Sequence, residues 1–210
     1  NAEGKVYKVV KFATDITAEK MKAIESARLK MSLDIAGTNI MVCNRDYEII
    51  YSNNSSTNTL RGLLPELQKA FPGFQLDQVI GSSIDGFHKD PAYQRRILDD
   101  PKNFPHQAEI QFGDVKLDLT VNAIMSDDGE YIGNVVEWVD VTSQKKAESE
   151  VARLISAASE GQLAERIDAS IFSGFLKTLA EGINSMLAAV ETPMTEAQDV
   201  LSLLSEGDLR

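Results

Sequence analysis

The sequence predicts an α+β domain, a five-stranded antiparallel sheet with short helices, followed by an all-α parallel coiled-coil bundle. Three observations carry that prediction. Short β-prone runs fall in a two-then-three order around a middle broken by glycine and proline; the run Val115–Met125 alternates apolar and polar residues; and beyond Thr142 apolar residues recur at steps of four, three and four.

Taken in order, Thr38 to Cys43 and Tyr47 to Asn53 are the first two strands, joined by Asn44-Arg45-Asp46 as a hairpin turn. From Ser56 to Phe87, Gly73, Gly81, Gly86, Pro65 and Pro72 interrupt the apolar pattern, which predicts several short helices. His106 to Phe112, Val115 to Met125 and Tyr131 to Asp140 follow as strands, with Gly113-Asp114 and Asp127-Asp128-Gly129 at the turns. Val115, Leu117, Leu119, Val121 and Ala123 share one face of the middle strand, so one face of the sheet meets a core. The helical part has a seam of Ala147, Val151, Leu154 and Ala158, a connector from Gly161 to Gly174 with Leu163 and Ile167, and a second seam of Leu179, Ile183, Met186 and Val190. Met194, Ala197, Leu201 and Leu204 continue it, and the step from Val190 to Met194 sets two fours together, the mark of a stutter.

Two internal repeats divide the chain. GKVYKVVKFATDIT from Gly4 to Thr17 recurs as GEYIGNVVEWVDVT from Gly129 to Thr142, so one domain type ends twice; Ser159-Glu160-Gly161-Gln162-Leu163 returns as Ser205-Glu206-Gly207-Asp208-Leu209. The expected organisation is the tail of a truncated domain with a linker helix over 1–31, a complete domain over 32–142, a helical unit over 143–192 and the start of another over 193–210. Opening at Asn1 and stopping in mid-pattern, the chain is expected to be a segment of a longer protein.

Composition narrows the function. Among 210 residues, 21 Lys and Arg stand against 32 Asp and Glu, and the net charge of −11 disfavours nucleic acid as a partner. A single Cys, Cys43, excludes sites built on several thiolates and suits a reducing cytoplasm; it reads as a small core residue. There is no apolar run long enough to span a bilayer, no Gly-rich phosphate loop and no Ser-His-Asp or paired-carboxylate constellation, so catalysis is not supported.

The segments GTNIMVCNRDYEIIYSN, IDGFHKDPAYQRRIL and GNVVEWVDVT, in this order and spacing, resemble the PAS domains of multi-PAS bacterial chemoreceptors, over roughly residues 32 to 142. The helical remainder resembles a HAMP unit, a parallel dimeric four-helix bundle. The whole is similar to a sensor-and-transmitter fragment of a methyl-accepting chemotaxis protein, whose kinase-binding hairpin would lie beyond Arg210. That resemblance implies a homodimer through the HAMP helices and a chemotaxis kinase complex as downstream partner.

Soluble aerotaxis-type receptors of that family hold haem b in the PAS pocket. The resemblance implies His88 of the Phe-His-Lys motif as the axial iron ligand and Trp138 of Val-Val-Glu-Trp as a donor to bound dioxygen or another diatomic gas. Ile84, Phe87, Ile97, Leu98, Leu117, Leu119 and Val136 would then line the slot. The first repeat has Ala13 where Trp138 stands, and Tyr93 occupies a position where relatives often carry a second His. His106, next to Pro105 at a strand start, is the rival ligand. A haem-free PAS module for dimerisation and relay, or for another small ligand, is the alternative. Asp140 and Thr142 form the Asp-x-Thr exit, with Thr142 expected to cap the following helix and Asp140 to bond backbone amides.

Overall fold

The computed structural model describes Gly4, residues 15–88 and residues 90–205. Ala13, most of the first Gly4–Thr17 repeat, Lys89 and the second Ser-Glu-Gly motif after Ser205 lie outside the described residues.

Five strands, β1 (Asn39–Asn44), β2 (Ile49–Ser52), β3 (His106–Phe112), β4 (Val115–Met125) and β5 (Tyr131–Asp140), form one sheet in the order β2-β1-β5-β4-β3. Between β2 and β3 lie α2 (Asn54–Gly62), α3 (Leu64–Ala70), a 3₁₀ turn at Ile84–Phe87 and α4 (Pro91–Asp99), so the broken middle is a set of short helices as the sequence predicts. Helix α1 (Thr17–Asp34) precedes the sheet; α5 (Thr142–Ser159) and α6 (Gly174–Ser205) follow it.

The first compact unit comprises residues 15–65, 73–104 and 121–137. Its β1–β2 turn is templated by Asn44, whose side-chain oxygen accepts from the Asp46 and Glu48 amides, both at 3.0 Å. β2 starts at Ile49 and not at the expected Tyr47, because Tyr47 turns into the left-handed region at φ 62° and cannot extend the ladder. Ile40, Ile49, Leu60, Phe74, Val79 and Leu98 are buried here, each contributing about 1.5–3 kcal/mol by leaving water. At Gly133 an added Cβ would lie 2.3 Å from the Cys43 carbonyl oxygen, so only glycine admits this approach of β5 to β1.

Asn53 is fully buried and fully bonded. Its oxygen accepts from the Ile40 amide (3.0 Å) and, as N-cap of α2, from the Ser56 amide (3.0 Å), while its amide nitrogen donates to the carbonyls of Leu33 (3.0 Å) and Thr38 (2.8 Å). Tyr51 donates to the Asp34 carboxylate at 2.7 Å. These two side chains hold the end of α1, a helix that buries none of its 18 residues.

The second unit comprises residues 66–72, 105–120 and 138–205. Alternation in β4 is clearest here, with Val115 and Leu117 buried; from Leu119 to Ile124 both faces are half-covered, and Met125 at the end is exposed. Helices α5 and α6 share a core of Ala147, Leu154, Ile167, Phe172, Ala180 and Leu187, flanked by Val151, Ala158, Leu163, Leu176 and Ile183. The first predicted seam and the connector residues Leu163 and Ile167 thus pack as expected. On α6 the packed face differs from the predicted seam: Leu176, Ala180, Ile183 and Leu187 enter the core, while Met186 (61% exposed) and Val190 (47%) face away. Both sets follow a four-three-four spacing and share Ile183, and the small Ala180 lets the helices approach where Leu179 would hold them apart. α6 runs unbroken through Pro193.

Candidate functional site

His88 closes the 3₁₀ turn Ile84–Phe87, which Ser83 caps by accepting the Asp85 amide at 3.2 Å. The His88 ring is half-buried, and its Nδ1 lies 2.8 Å from the Ile84 carbonyl oxygen. A carbonyl can only accept, so in the neutral ring Nδ1 carries the proton and Nε2 has the lone pair, the form in which imidazole binds a metal. Ile84 and Phe87 are half-buried beside it, with the Phe87 ring edge-on to Phe74 at 5.8 Å.

α4 begins at Pro91 after its N-cap Asp90, whose carboxylate accepts from the Tyr93 amide at 3.0 Å. Of the expected slot residues on it, Leu98 is buried and Ile97 half-buried. Tyr93 is 51% exposed, with the Arg96 guanidinium 5.8 Å from its ring centre. The Leu98 carbonyl accepts from Arg45 (3.1 Å) and from the Tyr131 hydroxyl, which also stands 2.6 Å from the Asn134 side chain. Arg45 lies over the Tyr131 ring at 4.2 Å. Val136 is half-buried on the same strand face as buried Asn134, and Ile132, nearer the start of the strand on that face, is 48% exposed.

In the second unit, Trp138 is 6% exposed and its Nε1–H is buried with no acceptor among the described residues. An unbonded buried donor costs about 1–3 kcal/mol, and such a group fits a site that receives an acceptor from outside the chain. Leu117 is buried; half-buried Leu119 lines a shallow, polar depression of about 370 Å³ with Gln107, Ala108, Glu109, Asp118 and Thr120.

The exit from β5 is tied down by four contacts. The Val141 amide donates to the Lys116 carbonyl, the Lys116 amide to the Thr142 hydroxyl, and the Thr142 amide to the Asp140 carboxylate, each at 2.9 Å. Lys145 then pairs with Glu109 on β3 at 2.9 Å, which holds the Glu109 carboxyl below its usual range. Asp140 bonds a backbone amide as expected. Thr142 does not cap α5: it is the helix's first residue, and its hydroxyl is taken by β4.

His106 is half-buried at the start of β3, and among the described residues no hydrogen bond of its ring accompanies it in the way the Ile84 carbonyl accompanies His88. Burial pushes the Cys43 thiol up, opposed by the Asn134 backbone amide, so it stays protonated and unreactive. Among the described residues there is no cluster of three or more His, Cys, Asp and Glu able to hold a metal ion, and no helix long and apolar enough to cross a membrane. Sequence reasoning missed Tyr47, Arg95 and Tyr131; the only signal available was their aromatic and cationic character in segments far apart in the chain.

The sheet order with helices between β2 and β3, continued by a helix pair with its own core, defines a PAS sensor domain joined to a helical relay. The HAMP domain family model matches residues 171–210. The methyl-accepting chemotaxis protein McpB of Pseudomonas aeruginosa is 32% identical over 193 residues, which are 92% of this chain and 28% of McpB. The chain is a PAS–HAMP chemoreceptor segment, and it spans little more than a quarter of that relative's length. Among solved structures, the Aer2 receptor from Vibrio cholerae, described as a dual PAS-heme oxygen sensor, is 38% identical with a TM-score of 0.48, covering 50% of this chain and 94% of that one. A PAS domain from Colwellia psychrerythraea is 19% identical with a TM-score of 0.40, covering 57% and 98%.

Proposed function

We propose that this segment senses dioxygen or another diatomic gas through haem b and relays the ligand state to a dimeric HAMP bundle in the cytoplasm. The observation that carries the reading is the His88 ring, whose Nδ1 bond to Ile84 leaves Nε2 free to bind iron. The buried Trp138 indole supports it as a donor for the gas, and Ile84, Phe87, Ile97, Leu98, Leu117, Leu119 and Val136 would wall the macrocycle. Bound there, haem supplies reversible coordination of the gas; the chain's own residues orient the imidazole, donate the hydrogen bond and exclude water.

The end of β5 would pass a displacement to α5 through Asp140 and Thr142, whose bonds to each other and to Lys116 leave little slack. Such a displacement biases a bundle with two arrangements. Two copies would combine through the helical faces left open in one chain, where Ile155, Phe175 and Met186 are 63%, 77% and 61% exposed. The chemotaxis kinase complex would be engaged by regions beyond this segment. We read 32–142 as the sensor, 143–192 as the relay and 193–210 as the start of a further HAMP unit, with 1–31 as the end of a preceding PAS domain and a linker.

Adding haem b to the purified chain tests the reading. A Soret band that shifts with carbon monoxide, lost in His88→Ala and kept in His106→Ala, is expected; loss in His106→Ala alone would overturn the ligand assignment, and no haem uptake by the parent would favour a haem-free relay module. Sedimentation showing a monomer at tens of micromolar, a range suited to a moderate association energy, would count against the dimer.

A further inference from the structure

We infer that Tyr47 and Arg95 are positioning residues that fix the His88 ring, an inference that rests on His88 as the axial ligand. Ile84 is held through both of its backbone groups, one in each of the two peptides that flank its Cα. Its carbonyl accepts from His88 Nδ1 at 2.8 Å, and its amide donates to the Tyr47 carbonyl at 2.9 Å. A displacement of Ile84 therefore moves the acceptor that orients the imidazole.

Tyr47 is the one non-glycine residue with positive φ (62°) among the described residues, a costly conformation for a bulky side chain. Tertiary contacts hold it there. Its hydroxyl donates to Asp99 at 2.6 Å, and its ring lies 4.7 Å beneath the Arg95 guanidinium. Arg95 in turn forms a two-point ion pair with Asp85, donating from Nε at 3.2 Å and from a terminal nitrogen. Asp85 is the second residue of the turn that His88 closes, and its carbonyl accepts from the His88 amide at 3.1 Å. Arg95 therefore joins the turn bearing the ligand to the residue that aims Ile84. Loss of the group bonded directly to a metal-binding His changes metal affinity by about 10–100-fold, and Tyr47 and Arg95 act one step further out, through Ile84, so the lower end of that range is expected.

The test uses the full 210-residue chain, ¹⁵N-labelled, as parent, Arg95→Ala, Arg95→Lys and Tyr47→Leu. Ring-nitrogen shifts report the tautomer without haem, and only His88 and His106 contribute, so His106 is the internal control. Expected is a parent His88 with its proton on Nδ1, a mixed tautomer in Arg95→Ala and Tyr47→Leu, and an intermediate state in Arg95→Lys, which keeps the charge but loses the fork. With haem b loaded, Arg95→Ala should lose it about tenfold faster. Variants that melt earlier yet keep the parent's tautomer would overturn the inference and leave the network purely structural. If the parent takes up no haem, the axial-ligand reading fails while the tautomer comparison still decides the role of Tyr47 and Arg95.

Discussion

Helices α1 and α5 are both 18 residues long, and they are stabilised in opposite ways. α5 buries Ala147, Leu154 and Ala157 along its length. α1 buries nothing and is held at one end, by Asn53 on the Leu33 carbonyl and Tyr51 on Asp34. The cause lies in the spacing: α5 stacks its apolar residues on one face, whereas α1 places Met21, Ile24 and Met31 on one side and Leu29 and Leu33 on another. A helix of this length is marginal in water without packing, so the order of α1 within one chain depends on its anchored end.

That contrast can be tested from its largest expected effect downward. Leu154→Ala should cost about 2–4 kcal/mol in chemical denaturation of the helical unit, because Leu154 is 3% exposed, whereas Leu29→Ala, at 64% exposure, should stay within about 0.5 kcal/mol. Equal losses would remove the distinction between the two helices. Asn53→Ala strands buried groups and should cost about 2–3 kcal/mol, with amide exchange in the last turn of α1 rising well before that of α5. Thr142→Val leaves the Lys116 amide without its acceptor and should cost about 1–2 kcal/mol, read from thermal melting.

Tyr51→Phe should be milder, about 0.5–1.5 kcal/mol, and felt in α1 only. Its pH signature is specific. Burial, then the bond to Asp34, push the Tyr51 hydroxyl up to about 12. A raised folded value means the contribution is complete below the unfolded tyrosine value of about 10 and disappears as pH rises through about 12. Phenolate absorbance rising in the parent at the ordinary tyrosine pH for every ring would contradict that protection. For Glu109 the sign is reversed: its lowered value means that the pairing with Lys145 is intact above the usual carboxylate range and is lost on acidification through the folded value. Glu109→Gln should flatten this part of the acid melting profile.

What could be read from the sequence was local. The alternation of Val115 and Leu117, the Ala147–Leu154 seam and the breaks by glycine and proline each follow from neighbours a few residues apart. The roles that escaped depend on which distant segments meet. Thr142 has the chemistry of a cap, yet a strand amide 26 positions away claims its hydroxyl. Ala180 looks unimportant beside Leu179, but close helix contact selects the smaller side chain. His88 and Trp138 were marked by resemblance; the carbonyl that orients one and the unbonded N–H of the other depend on tertiary structure.

Gly133 also sets a limit on how this sheet can vary among descendants of the same sequence. Because an added Cβ would press on main-chain oxygen and not on a movable side chain, polarity and size beyond the first carbon hardly matter: alanine meets the same obstacle as leucine or glutamate. In a saturation survey the position should therefore behave as all-or-nothing, every replacement failing together. A neighbour such as Ile132, 48% exposed, should accept a graded range of substitutes. One missing methyl group thus makes the central strand pair an inherited constant around which other positions drift.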